Sequence, residues 1–314
     1  MLKQTMAIHE LLDSASIDGD GVAALFAGLG LRQVSVQRVE GEKGSTDFVT
    51  LRIIGRHGAA VGGPAPTLGV IGQLGGIGAR PTQIGLVSDA DGAVCALACA
   101  LKLTEMQHHG DILDGDVLVV THICPRAPTQ PHDPVPFMGS PVGIGAAMEH
   151  SVLPEMAAIL SVDTTRGNRI INHRGFAISP TVKQGYILRV SEDLLDTQTI
   201  VTGRPPVVLP ITTQDITPYG NGLYHLNSIM QPATATDAPV VGVAITAEAA
   251  VPGSATGASQ VTDLEMAGRF CVEVAKSFGR GACRFYDLGE WDTIQTLYGG
   301  LHVLQTGGYR SETP

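Results

Sequence analysis

The segment Ile84-Gly-Leu-Val-Ser-Asp-Ala-Asp-Gly-Ala93 constrains the chain most, because a short apolar run passes through two acidic residues directly into a long apolar stretch. The run is strand-like. The stretch from Ala93 to Met106 is apolar nearly all round, which predicts a helix covered by protein on most sides. Gly110 ends that helix, and Val117-Leu-Val-Val-Thr-His-Ile begins another buried strand. Strand, buried helix and buried strand in that order make a βαβ unit with a parallel pair. Asp89 and Asp91 then lie at the carboxyl end of a strand, beside the crevice where open α/β sheets hold ligands. For Asp89 taken alone, a helix N-cap is the competing reading.

Leu2 to Leu29 reads as two short helices. Gln33-Val-Ser-Val-Gln-Arg-Val and Asp47-Phe-Val-Thr-Leu-Arg-Ile read as a hairpin joined by Glu40-Gly-Glu-Lys-Gly-Ser. Between Gly55 and Pro81, Leu68-Gly-Val-Ile is a short strand followed by a tight Gly-rich loop. Prolines recur from Pro125 to Pro141, which predicts a semi-rigid loop over the strand ends. Ala157-Ala-Ile-Leu-Ser-Val is a buried strand ending at Asp163, with further strands expected at Gly185 to Val190, Val207 to Thr213 and Pro239 to Ile245. Helices are expected at Glu192 to Ile200 and Val261 to Phe278. With 4% aromatic residues and 39 glycines, the core must be built from Ala, Val, Ile and Leu around tight turns. That favours layered α/β packing over a sandwich of sheets or a coiled coil, and residues 1–314 are read as one domain.

A net charge of −10 argues against a nucleic-acid or anionic-membrane partner, since both demand a basic face. The cysteines Cys95, Cys99, Cys124, Cys271 and Cys283 are odd in number without paired spacing, as expected of buried thiols in a reducing compartment. The first residues do not form a secretory leader, and no apolar run is long enough to cross a bilayer. A soluble cytoplasmic protein is expected.

Polar residues gather at four strand ends: Asp89 and Asp91; Thr121, His122 and Cys124; Asp163, Thr165, Arg166 and Asn168; Thr212, Thr213 and Asp215. In a parallel sheet these ends share one edge. Asp89, His122 and Asp163 together would suit one divalent metal, Zn, Mn or Ni. Singly, His122 also reads as a satisfied core histidine, and Cys124 as a buried apolar residue. Arg166-Gly-Asn-Arg-Ile-Ile-Asn-His-Arg174 supplies donors for a carboxylate or phosphate, including His173 and Arg174. Asp215-Ile-Thr-Pro-Tyr-Gly-Asn-Gly-Leu-Tyr-His places Tyr219, Asn221 and His225 around a glycine turn. Both segments read equally as hydrogen-bonded surface loops. Gly72-Gln-Leu-Gly-Gly-Ile-Gly lacks the register of a dinucleotide fingerprint and an acidic ribose partner, so no nucleotide cofactor is expected.

Gly76-Ile-Gly-Ala-Arg-Pro, Ser88-Asp-Ala-Asp-Gly-Ala, Thr121-His-Ile-Cys-Pro and Thr213-Gln-Asp-Ile-Thr-Pro-Tyr-Gly-Asn-Gly resemble an uncharacterised bacterial and archaeal family, the domain of unknown function numbered eleven seventy-seven. That resemblance implies no activity. More distantly, the order of elements resembles the co-catalytic zinc aminopeptidases of the glutamyl and deblocking type. This implies a three-layer α/β sandwich of the zinc-peptidase-like phosphorylase/hydrolase architecture, with a mixed sheet, parallel central strands and a homo-oligomeric assembly. Asp89 stands where those enzymes carry a metal-bridging Asp, and Val162-Asp-Thr-Thr resembles the strand end that supplies another ligand, here Asp163. The metal His corresponds to Gln73 and its orienting Asp to Gly75. No acid lies between His122 and Pro125 to match the paired glutamates, the late His is missing near Thr256-Gly-Ala-Ser-Gln, and no second domain is inserted between Gly78 and Asp89.

A two-zinc peptidase therefore does not follow, since a neutral Gln and glycines can neither hold two dications nor activate water. In a rebuilt site, Asp89, His122 and Asp163 would hold one metal, and Asp91 or His173 would move the proton. Gln73, Arg166, Asn168, Arg174, Asp215, Tyr219, Asn221 and His225 would orient an amide or small peptide-like substrate. That reading makes the chain a hydrolase of amide bonds. The alternative is a protein that binds a small molecule without turnover through Arg166, His173 and Asn221. A third reading uses Cys124 as nucleophile with His122 or His173.

Overall fold

The computed structural model describes the chain except residues 15, 74–76, 78–85, 132–136, 167–170, 172, 212–227, 250–258 and 306–314 and the side chains of 130 and 137. Two helices, α1 (Leu2–Leu12) and α2 (Gly19–Gly28), precede the hairpin of β1 (Gln33–Gly41) and β2 (Gly44–Ile53). Asp18 caps α2 by accepting from Gly21 N. The hairpin register runs from Gln33↔Arg52 to Gly41↔Gly44, which places the turn at Glu42-Lys43.

The centre of the sheet comprises β3 (Leu68–Gly72), β4 (Val117–Ile123), β7 (Ala158–Thr164) and β11 (Val240–Thr246). Neighbours within the order β4-β3-β7-β11 are parallel, whereas β1, β2 and the far edge are antiparallel. That far edge is built from β8 (Gly175–Ile178), β9 (Val182–Lys183) and β10 (Tyr186–Ile187), with β8 and β9 both pairing with β11. Among the described residues the mixed sheet has nine strands, and the short pair β5 (Thr129–Gln130) and β6 (Phe137–Met138) lies apart from it.

Alternation on the central strands divides the core into two clusters. Val117, Val119, Leu68, Val70, Leu160, Val162, Val241 and Val243 pack with α1, α3 (Asp91–His108) and α6 (Val261–Gly279). Leu118, Val120, Ile71, Ile159, Val240 and Ala244 face the other way, against Met156 and the 3₁₀ segment Ser228–Thr234. Helix, sheet and irregular helical layer make a three-layer α/β sandwich. The central strands are apolar on both faces because both faces are covered. Fourteen of the eighteen residues of α3 are buried, as its all-round apolar sequence requires.

Several elements depart from the sequence reading. Leu86 and Val87 are not strand, and Asp89 lies in a 3₁₀ turn, Ser88–Ala90, ahead of α3. The first strand of the βαβ unit is β3, since both sides of β4 are taken by β2 and β3. Among the described residues, the strand expected at Val207 to Thr213 shows one bridge, between Val208 and Ile178, and that expected at Gly185 to Val190 the two residues of β10. The helices α4 (Ile144–Ser151) and α7 (Leu288–Tyr298) are additions to the sequence reading; α7 has apolar residues at helical spacing, Leu288, Trp291, Ile294 and Tyr298, but buries none of them fully. Helix α5 (Glu192–Thr202) matches its expected position. All five cysteines are buried and free, and no described helix is long and apolar enough to cross a membrane.

Candidate functional site

The parallel register builds a polar row at the carboxyl edge of the sheet. Gly72 pairs with Thr121 on one side and Val162 on the other, so the next residue, Gln73, lies between His122 and Asp163. Gln73 N extends the ladder by donating to Val162 O at 2.8 Å. Strand alternation turns Gln73, His122 and Asp163 to the face opposite α3. The Gln73 side chain is buried, and its Nε2 donates to Ser161 Oγ at 3.2 Å. His122 Nδ1 shares a hydrogen bond with Thr46 Oγ1 at 2.8 Å, and its ring packs on Phe48 with centroids 5.3 Å apart. Burial pushes the imidazole down to about 4, so it is neutral at pH 7. Asp163 Oδ1 accepts from Thr164 N at 2.7 Å.

The helix α3 starts in contact with these strand ends. A Cβ at Gly92 would stand 2.6 Å from Val162 O and 2.7 Å from Gln73 O, and one at Gly72 only 2.6 Å from Gly92 O. Glycine at both positions lets helix and sheet meet backbone to backbone. Asp91 is thereby drawn into the interior with no exposed surface. Arg166, just beyond β7, forms an ion pair with Asp91 Oδ2, and Ser259 Oγ donates to Oδ1 at 2.6 Å. Burial raises the Asp91 carboxyl from 3.8 to about 6; Arg166 and Ser259 draw it down, and the charge of Asp263 pushes it up. Asp263 itself, in the first turn of α6, meets Arg174 at 3.5 Å.

The expected metal triad is not assembled. Asp89, His122 and Asp163 are all buried at this edge, but among the described residues no group of three His, Cys, Asp or Glu side chains is arranged to hold a metal ion. The reason lies in the register: His122 and Asp163 flank β3, two strand spacings or roughly 10 Å apart at their Cα atoms, and the residue between them is an amide. His122 is also turned to Thr46 and Phe48. The described residues therefore do not fit the metal that the peptidase resemblance implies.

Cys124 is no activated nucleophile. Its Sγ donates to Ser45 O at 3.6 Å, and burial pushes the thiol up to about 11. Arg166, expected to face a ligand, is buried against Asp91. His173 is separate from that pair; it lines a crevice with Arg174. Asn168, Asp215, Tyr219, Asn221 and His225 lie outside the described residues. Sequence reading passed over Ser259 and Asp263, which flank the start of α6. The helix start itself was the available signal, since α6 ends up at the same edge as α3.

A family model described as "Protein of unknown function (DUF1177)" matches residues 37–308. No match was found among curated proteins. Among solved structures, the crystal structure of Macrostomum lignano glutaminyl cyclase is similar over 90% of this chain and 90% of its own, at 12% identity and a TM-score of 0.49.

Proposed function

Because the chain belongs to the DUF1177 family, whose description assigns no activity, we propose its function from the site alone: hydrolysis of an amide bond in a small or peptide-like substrate, with Asp91 holding and passing on the proton. The observation that carries this reading is the buried Asp91 carboxyl at about 6, linked by a 2.6 Å hydrogen bond to the half-buried Ser259 hydroxyl. Amide hydrolysis adds hydroxide to the carbonyl carbon and a proton to the departing nitrogen. One group must take the proton from water and return it to the amine, and a carboxyl close to neutrality is effective in both directions. Ser259 connects that carboxyl to the surface. Arg166 favours the ionised form that begins the cycle. No step is routed through a metal.

A second reading is binding without turnover. The contact of Arg166 with Asp91 favours it, because it occupies the carboxylate in the resting protein.

The test is amine release, followed by mass spectrometry, from a panel of dipeptides and N-acyl amino-acid amides. Turnover should rise through a limb near pH 6 and be lost in Asp91→Asn and strongly reduced in Ser259→Ala. Activity that survives Asp91→Asn unchanged would overturn the proton role. Absence of turnover across the panel, with a small molecule retained by the purified protein in native mass spectrometry, would replace hydrolysis by binding.

A further inference from the structure

A crevice opens where β8 begins beside α5, and its Arg174 reaches Asp263. Its interior has a volume of only about 10 Å³, so a ligand group would sit at its mouth, and its lining includes His173, Arg174, Phe176, Gln198, Thr202 and Arg204. Its neutral polar groups are already engaged. The Gln198 amide spans Phe176 O and Val207 N, and Thr202 Oγ1 donates to Gln198 O. Its basic groups are not engaged to the same extent. Arg174 reaches Asp263 at 3.5 Å and Thr262 at 3.4 Å but keeps 57% of its side chain exposed. The Arg204 guanidinium makes no hydrogen bond or ion pair with a described residue, and neither does the ring of His173.

We propose that this crevice is an oxyanion subsite that takes the carboxylate or phosphate group of a small ligand. Three basic side chains sharing one mouth repel one another, and an anion relieves that repulsion. Two guanidinium forks match the paired oxygens of such a group. In a chain of net charge −10, a local concentration of positive charge also draws small anions to this place rather than elsewhere. His173 reflects the same surroundings. Burial and then Arg204 make it harder to protonate, opposed by Asp263 and Glu248, with Arg174 as the other charged neighbour lining the crevice. An anion seated there reverses the effect of Arg204 and lets His173 gain a proton and a hydrogen bond.

Asp263 couples this place to Asp91, since it both pairs with Arg174 and pushes up the Asp91 carboxyl. The anionic end of a ligand would thus lie one carboxylate away from the proton-holding group. The inference goes beyond the hydrolase reading and does not need turnover, because binding is measured directly.

Isothermal titration of the full chain with glutarate, and separately with inorganic phosphate, at pH 7 and low salt tests it. We expect saturable one-site binding of at least one probe, weakened about tenfold or more in Arg204→Gln and in Arg174→Gln, as for loss of a hydrogen bond to a charged group. Which probe binds distinguishes a carboxylate ligand from a phosphate ligand. Arg280→Gln, which removes the same charge from an exposed arginine outside the crevice, should leave affinity unchanged. In NMR titrations the bound anion should raise the protonation midpoint of His173, and this rise should vanish in Arg204→Gln. No saturable binding of either probe, or equal weakening by Arg280→Gln, would overturn the subsite. Binding without amide hydrolysis would leave it standing while the catalytic reading fails.

Discussion

Replacing Asp91 by Asn separates the two forces acting on the buried carboxylate. Burial disfavours the ionised form and Arg166 favours it, and the balance leaves the carboxyl at about 6 rather than 3.8. Burial therefore outweighs the ion pair. As pH rises from 4, the unfolded chain gives up the Asp91 proton near 3.8, whereas the folded chain keeps it until about 6. The folded state binds more protons in that window, so the stability present below pH 3.8 is lost as pH rises through 6. At about 1.4 kcal/mol per tenfold change in proton affinity, the loss accumulates to roughly 3 kcal/mol. Asn cannot ionise and closely matches the neutral acid in shape. Asp91→Asn should therefore equal the parent chain near pH 4 and exceed it by roughly 3 kcal/mol at pH 8. Urea unfolding of both proteins from pH 4 to pH 8 at constant ionic strength measures the difference, in which the other titrating groups cancel. The opposite trend, with the variant weaker by about 3–5 kcal/mol at pH 8 as for a buried pair deprived of one partner, would refute the reasoning. It would mean that Arg166 holds Asp91 ionised throughout, and the proton relay would lose its acid.

Two further outcomes follow from the same edge of the sheet. The imidazole of His122 is depressed from 6.5 to about 4, so it contributes stability that is present above pH 6.5 and lost as pH falls through 4; His122→Gln should remove roughly 3 kcal/mol of that acid-side loss, and identical acid limbs in the two unfolding profiles would contradict the burial assigned to His122. Gly92→Ala should cost about 1–3 kcal/mol or more, because its Cβ would meet backbone oxygens at 2.6 and 2.7 Å, whereas Gly28→Ala, with nothing within 4 Å of its Cβ, should gain up to about 1 kcal/mol; similar denaturation midpoints for the two variants would disprove the close contact of α3 with the strand ends.

Elements with a strong period were legible in the chain. The all-round apolar stretch after Asp91 could only be a covered helix, and Val117 to Ile123, Ala158 to Val162 and Val240 to Ile245 could only be strands buried on both faces. These follow from side-chain hydrophobicity repeated along one segment, and they carry the α/β class and the parallel centre. The polar positions His122 and Asp163 at the ends of the apolar runs of β4 and β7 were legible for the same reason, whereas the strand expected before Asp89 is a 3₁₀ turn.

Pairing between distant segments decided the rest. The sequence displays Asp89, His122 and Asp163 as equals, but register puts Gln73 between the latter two and turns His122 toward Thr46, a residue 76 positions away. Ser259 and Asp263 are unremarkable in a helix start until α6 packs beside α3 and brings them to Asp91. Whether a carboxylate behaves as a surface acid or as a proton store near neutrality depends on how completely the fold removes it from water and what charges stand around it. Local pattern determines which segments are helix and strand, because that preference is settled within a few residues; the chemistry of Asp91 is settled by desolvation and by Arg166, Ser259 and Asp263, which only the tertiary structure brings within reach.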